Sequence, residues 1–110
     1  MTDVSKDTEQ KIGQLQLYEQ SLQNLLAQKQ QFQSQLAEID SAINELKDSK
    51  ETYKIIGNIV VSTKKEDLEK DLESKKETAQ IRVKTLEKQE VSIKEKAEKL
   101  QSEVMEKMKK

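Results

Sequence analysis

The chemistry open to this chain is narrow, because its 110 residues contain no His, Cys, Trp or Pro and only two Gly. Without imidazole or thiol there is no general base or nucleophile of the common kinds, and no zinc site of the usual ligands. Two separated glycines cannot build a phosphate-cradling loop or a dinucleotide fingerprint. No catalytic residue, metal site or cofactor is therefore expected. What remains is association through apolar side chains, and these stand out in two places. One is the central run Ile55, Ile56, Gly57, Asn58, Ile59, Val60 and Val61. The other is a set near the two termini: Ile12, Leu15, Leu17, Tyr18, Leu100, Val104, Met105 and Met108.

The elements that must position these residues follow from composition. Charged residues make up 37% of the chain, apolar ones 33% and aromatics 3%. Leu, Ile, Val and Phe number 26 of 110, about 24%, enough to bury a stripe but not a globular core. The longest apolar run is Ile59-Val60-Val61, far too short for a membrane span. The first twenty residues carry no signal-peptide apolar segment. With 20 basic and 21 acidic residues, the chain lacks the basic excess of a nucleic-acid or anionic-membrane binder. A soluble, cytoplasmic protein is expected.

From Leu15, spacings alternate between three and four through Tyr18, Leu22, Leu25, Lys29, Phe32, Leu36, Ile39 and Ile43 to Leu46. A second series starts at Leu72 and runs through Lys76, Ala79, Val83, Leu86, Glu90, Ile93, Ala97 and Leu100 to Val104. These are heptad seams, with Lys29, Lys76 and Glu90 as polar interruptions. Ten of thirteen glutamines lie in residues 1–50, and fifteen of twenty basic residues in 51–110, so the two helices have different surfaces. Between the seams, two β-favouring runs flank Gly57-Asn58, a pair that tolerates the positive φ angles of a tight hairpin turn. Thr63 and Glu66 then fit a capping box for the second helix. The expected organisation is a single domain over 1–110: helix 5–50, β-hairpin 53–62, helix 64–109. Its fold class is mainly α, a long antiparallel coiled-coil α-hairpin with a short β-hairpin at the bend.

Folding back about Gly57-Asn58 pairs residues whose numbers sum to about 115. That register puts Lys29 and Glu90 in neighbouring seam layers, where an ion pair would fix register more than add stability. The hairpin's Ile and Val residues point to both faces of the ribbon. An isolated ribbon of that kind is marginal in water, and both its edges expose backbone groups. Strands from other chains must therefore complete it into a sheet or barrel; the alternative is packing onto the chain's own helices around Leu46, Tyr53 and Leu68. Both termini lie at the arm's other end. There Ile12, Leu17, Met105 and Met108 are not needed by the seam, and Leu15, Tyr18, Leu100 and Val104 would be exposed if that end frays. Leu26, also off the seam, could line the inner side of the arm or simply widen the stripe, and is read as the latter. The Lys-rich stretch from Lys94 to Lys110 reads as a solvated, salt-bridged face, with Lys107, Lys109 and Lys110 as candidates for attracting a partner.

The hairpin Tyr53-Lys54-Ile55-Ile56-Gly57-Asn58-Ile59-Val60-Val61, flanked by heptad helices of matched length, resembles the β-class prefoldin subunits of the archaeal type. The resemblance covers essentially the whole chain; the one departure is a C-terminus that ends soon after the second seam. It implies a heterohexamer of two α-class and four β-class subunits, with the hairpins forming a β-barrel hub. It also implies that the coiled-coil ends hold unfolded polypeptides without ATP and deliver them to a group II chaperonin. A coiled-coil scaffold without clients, and a nucleic-acid-binding helical arm, are the alternatives.

Overall fold

In a computed structural model, residues 5–109 are described as four elements in sequence. They are helix α1 (Lys6–Lys47), strands β1 (Thr52–Ile56) and β2 (Ile59–Thr63), and helix α2 (Lys65–Met108). The two strands form one antiparallel sheet. The chain packs as two compact units. One, called here the terminal unit, combines α1 up to Lys29 with α2 from Thr85 onward; the other, the hairpin unit, is Gln30–Lys84.

Both helices exceed forty residues, and neither contains proline. Their ends show how orphaned backbone groups are satisfied. Ser5 caps α1: the Thr8 amide donates to Ser5 Oγ at 3.2 Å and the Glu9 amide to the Ser5 carbonyl at 3.0 Å. Asp7 and Glu9 occupy its first turn, where negative charge suits the helix dipole. Short of residue 50, α1 stops because Ser49 turns back on it. The Ser49 amide donates to the Leu46 carbonyl at 3.2 Å and its hydroxyl to the Glu45 carbonyl at 2.9 Å. Lys65 Nζ donates to the Lys47 carbonyl at 2.9 Å.

The cap of α2 differs from expectation. Lys64, not Thr63, supplies the first carbonyl, accepting from the Leu68 amide at 3.1 Å. Thr63 is the last residue of β2, and its carbonyl accepts a 2.6 Å hydrogen bond from Thr52 Oγ1. A cross-strand partner eleven residues away has taken the threonine from the helix.

In each unit the α1 and α2 segments run antiparallel, and all twenty expected seam positions are buried or half-buried. Leu25, Leu86 and Val104 are among the most enclosed in the terminal unit, Leu46 and Ala79 in the hairpin unit. No large side chain among the described residues is completely enclosed. That is the property of a two-stranded seam, in which each side chain keeps one flank open. The register is also as expected: Lys11–Glu103 and Lys29–Glu90 pair across the terminal unit, and Asp40–Lys76 across the hairpin unit. Leu26 does not widen the stripe; at 45% exposure it stands in solvent.

Candidate assembly hairpin and terminal apolar surface

The strands pair Ile56 with Ile59, Ile55 with Val60, Lys54 with Val61, Tyr53 with Ser62 and Thr52 with Thr63. Alternation then puts Tyr53, Ile55 and Val60 on one face and Ile56, Ile59 and Val61 on the other. Gly57 closes the loop with φ +60°, whereas Asn58, like every other described non-glycine residue, keeps φ negative. Of the two residues that tolerate positive φ, only the glycine uses it; one glycine at the first turn position suffices, as in a type II′ turn.

Both faces of this ribbon are bare. Ile55 is 73% exposed, and Ile56, Ile59, Val60 and Val61 are exposed as well. Packing onto the chain's own helices is confined to the base, where Thr52 is buried and Lys54 lies 3.8 Å from Asp71. Tyr53 is exposed too, its hydroxyl donating to Glu51 at 2.8 Å. Leaving five β-branched side chains in water on a two-stranded ribbon costs roughly 25 cal/mol for each Å² of apolar area left unburied. A surface of this type is ordinarily covered.

The terminal unit presents its apolar residues differently. Leu17, Met105 and Met108 are exposed, while Ile12, Leu15, Tyr18 and Leu100 are half-buried in or beside the seam. Val104, at 6% exposure, is enclosed. The seam continues below Leu15 at the same spacing through Lys11 to Thr8, which is also buried. Around that last layer lies a network of charges. Lys107 Nζ donates to Asp7 at 2.8 Å, and Lys11 sits 3.4 Å from Asp7 and 3.3 Å from Glu103. The hydrogen bond from Lys107, helped by Lys11, holds the Asp7 carboxyl below its ordinary value of 3.8. Desolvation pulls the Lys11 ammonium down, but Glu103 and Asp7 outweigh it and leave its pKa raised. Lys107 and Lys109 are exposed; Lys110 lies outside the described residues.

Higher in the same unit, the expected ion pair is present. Lys29 Nζ lies 2.8 Å from Glu90 Oε1, and Glu90 is nearly enclosed at 8% exposure. The contact is close but poorly directed, so Oε1 lacks a well-aligned hydrogen-bond donor. The Glu90 carboxylate keeps the Lys29 pKa above 10.5 against the opposing pull of desolvation.

Residues 9–110 match the sequence family described as prefoldin subunit. The chain is 39% identical to the prefoldin subunit beta of Archaeoglobus fulgidus over 98 residues, which is 86% of this chain and 84% of that protein. It is 34% identical to the prefoldin subunit beta of Pyrococcus abyssi over 107 residues, 94% of this chain and 92% of that one. The crystal structure of the prefoldin beta subunit from Thermococcus strain KS-1 superposes with a TM-score of 0.90. It shares 31% identity and covers 96% of each chain. The chain belongs to the prefoldin β-subunit family.

Prefoldins are chaperones rather than enzymes, which fits a chain whose notable surface is apolar. Among the described residues no helix is long and apolar enough to cross a membrane. Two exposed apolar residues of this prefoldin chain escaped sequence reasoning, Ile81 and Val91. Each sits among charged and polar neighbours, where an isolated apolar residue gives no periodic signal. Heptad position could have found Val91, because it falls next to the seam residue Glu90 on the flank that also carries Met105.

Proposed function

We propose that residues 1–110 act as one prefoldin-type domain, the β-class subunit of an ATP-independent holdase. The exposed, two-faced ribbon of Ile55, Ile56, Gly57, Asn58, Ile59, Val60 and Val61 carries this reading. Its two apolar faces and free strand edges call for other strands, from α-class subunits and further β-class copies, to close a β-barrel hub of a heterohexamer. The terminal apolar residues Ile12, Leu15, Leu17, Tyr18, Leu100, Met105 and Met108 are the proposed contact surface for unfolded polypeptides, which the enclosed Val104 would join only where the helix ends part. Several such surfaces in one assembly would hold a non-native chain by multivalency, each contact weak. Delivery to a group II chaperonin in the cytoplasm completes the proposed cycle.

Refolding of a denatured protein, followed by light scattering, tests this reading. The chain assembled with an α-class subunit should suppress aggregation equally with and without ATP, at stoichiometric rather than catalytic ratios. Trimming residues 1–12 and 104–110 should abolish suppression while mass measurement still finds the full oligomer. An intact oligomer that never suppresses aggregation would leave a coiled-coil scaffold without clients as the function.

A further inference from the structure

The heptad positions of the exposed apolar residues carry more than their number. In the terminal unit, Ile12 and Leu26 occupy equivalent positions on α1, two heptads apart. Val91 and Met105 are likewise equivalent on α2 and two heptads apart. All four lie on the same flank of the antiparallel pair, and Met108 joins them beside Met105. Across the helices they come level in twos. The contact of Lys11 with Glu103 sets Ile12 level with Met105, and that of Lys29 with Glu90 sets Leu26 level with Val91. Leu17 falls on the opposite flank, near a groove lined by Ser21, Asn24, Gln28, Gln89 and Ser92.

We infer that this flank is a two-station docking surface for an extended, uncharged segment of non-native polypeptide, the second station being Leu26 with Val91. This rests on the holdase reading above and adds to it a second site and a spacing. The stations are about 21 Å apart at 1.5 Å per residue of helix. An extended chain rises about 3.4 Å per residue, so apolar side chains about six residues apart reach both stations. Six is an even number, so both side chains project from the same side of the extended segment.

The occupant follows from what lies between and around the stations. Glu19, Lys94 and Glu98 are exposed in the interval, so a third helix packed along this flank would bury them unpaired. An extended segment touching only the two stations leaves them in water. Leu26, Val91, Met105 and Met108 are each roughly half exposed, at 45%, 56%, 55% and 57%. Together they offer on the order of a few hundred Å² of apolar surface, well under the roughly 800 Å² per partner of a stable folded complex. A second copy of this chain is therefore a poor fit, and a reversible grip on an unfolded segment is a good one.

The test uses the full chain in its assembled oligomer and three fluorescein-labelled peptides of Gly, Ser and Gln. One carries a single Leu, one two Leu residues six apart, and one two Leu residues three apart. By fluorescence anisotropy the first and third should bind alike, and the second at least about tenfold tighter. In the Leu26→Gln, Val91→Gln double variant that advantage should vanish, while single-Leu binding weakens by no more than about twofold because the station of Ile12 and Met105 remains. Both residues are exposed, so circular dichroism should show the fold unaltered. Equal binding of all three peptides by the unaltered oligomer would overturn the inference, as would a double variant that keeps the advantage. An oligomer that binds no peptide and does not hold a permanently unfolded protein would instead overturn the holdase reading on which the inference stands.

Discussion

The hairpin and the terminal unit both show apolar side chains to solvent, but in opposite ways. On the hairpin they are contiguous, occupy both faces of a ribbon, and sit beside unpaired backbone groups along two strand edges. In the terminal unit they are single residues or pairs on the outside of a seam that is already closed, separated by glutamines and charges. The first arrangement calls for partners that stay, because a ribbon of this kind gains its stability only from strands on both sides. The second arrangement suits partners that leave. The amount of exposed apolar surface matters less than its continuity and the state of the backbone beneath it.

The strongest way to break the comparison is to put charge on one region at a time. Replacing Ile55 and Val60 by Asp, a cross-strand pair on one face, should abolish assembly. The chain should then elute as a small species, and it should lose most of its ability to hold unfolded protein through lost multivalency. Helical circular dichroism should persist, since neither residue touches the seam. Replacing Met105 and Met108 by Gln should leave assembly intact and weaken only the holding of clients. If the hairpin variant still forms the full oligomer, the division of labour between the two regions is wrong.

How much of this was legible in the sequence depends on the range of the interaction responsible. The seams could be read because burial along a helix repeats at fixed spacing, and every seam position from Leu15 to Leu46 and from Leu72 to Val104 is buried or half-buried. The Lys29–Glu90 pair could be read because two polar interruptions fell in neighbouring layers of opposite helices. Thr63 could not be placed, since the Thr52 hydroxyl that claims it comes from the other strand. Nor could the enclosure of Val104, because past Leu15 the seam runs on through Lys11 and Thr8, residues that do not register as apolar. Leu26 was misjudged because adjacency to the seam residue Leu25 does not place a side chain in the seam. Among the candidate site residues, the hairpin could be recognised from an excess of β-branched residues around one Gly-Asn pair. The flank that groups Ile12 and Met105 with Leu26 and Val91 emerges only when the two helices are set in register.

A smaller effect is expected at the polar interruption of the terminal seam. Glu90→Met alone leaves the Lys29 ammonium in the seam without its counter-ion and should lower the Tm by several degrees. Lys29→Met alone should act in the same direction, more strongly, because Glu90 is the more deeply buried partner. Together the two substitutions should recover the loss, since two methionines fill a seam layer and carry no charge. Their cost should appear as lost uniqueness of register, measured as broadened amide signals in the terminal unit and not in the hairpin. A double variant as unstable as the worse single one would show that the pair stabilises the seam rather than selecting its alignment.

The smallest effect separates the two regions by pH. The hairpin's exposed isoleucines and valines do not titrate, whereas the last layer of the terminal unit is held partly by Asp7 between Lys107 and Lys11. Because the folded state lowers the Asp7 pKa, its contribution is fully present above the ordinary value of 3.8 and is lost as pH falls through the lower folded value. The raised pKa values of Lys11, Lys29 and Lys76 act at the other end. Their contributions are present below 10.5 and lost only as pH rises beyond it. With no histidine in the chain, stability should be nearly flat between these limits. Asp7→Asn should therefore be slightly less stable than the unaltered chain at pH 7, and indistinguishable from it once pH falls well below the lowered folded value. Asp7 also sits in the first turn of α1, where its charge favours the helix dipole whatever Lys107 does. Repeating the substitution in a Lys107→Met background separates the two effects: the penalty should shrink there if the contact across the helices carries it. An undiminished penalty would assign it to the helix end alone, and the terminal layer would then be held by Thr8 and Val104 without help from charge.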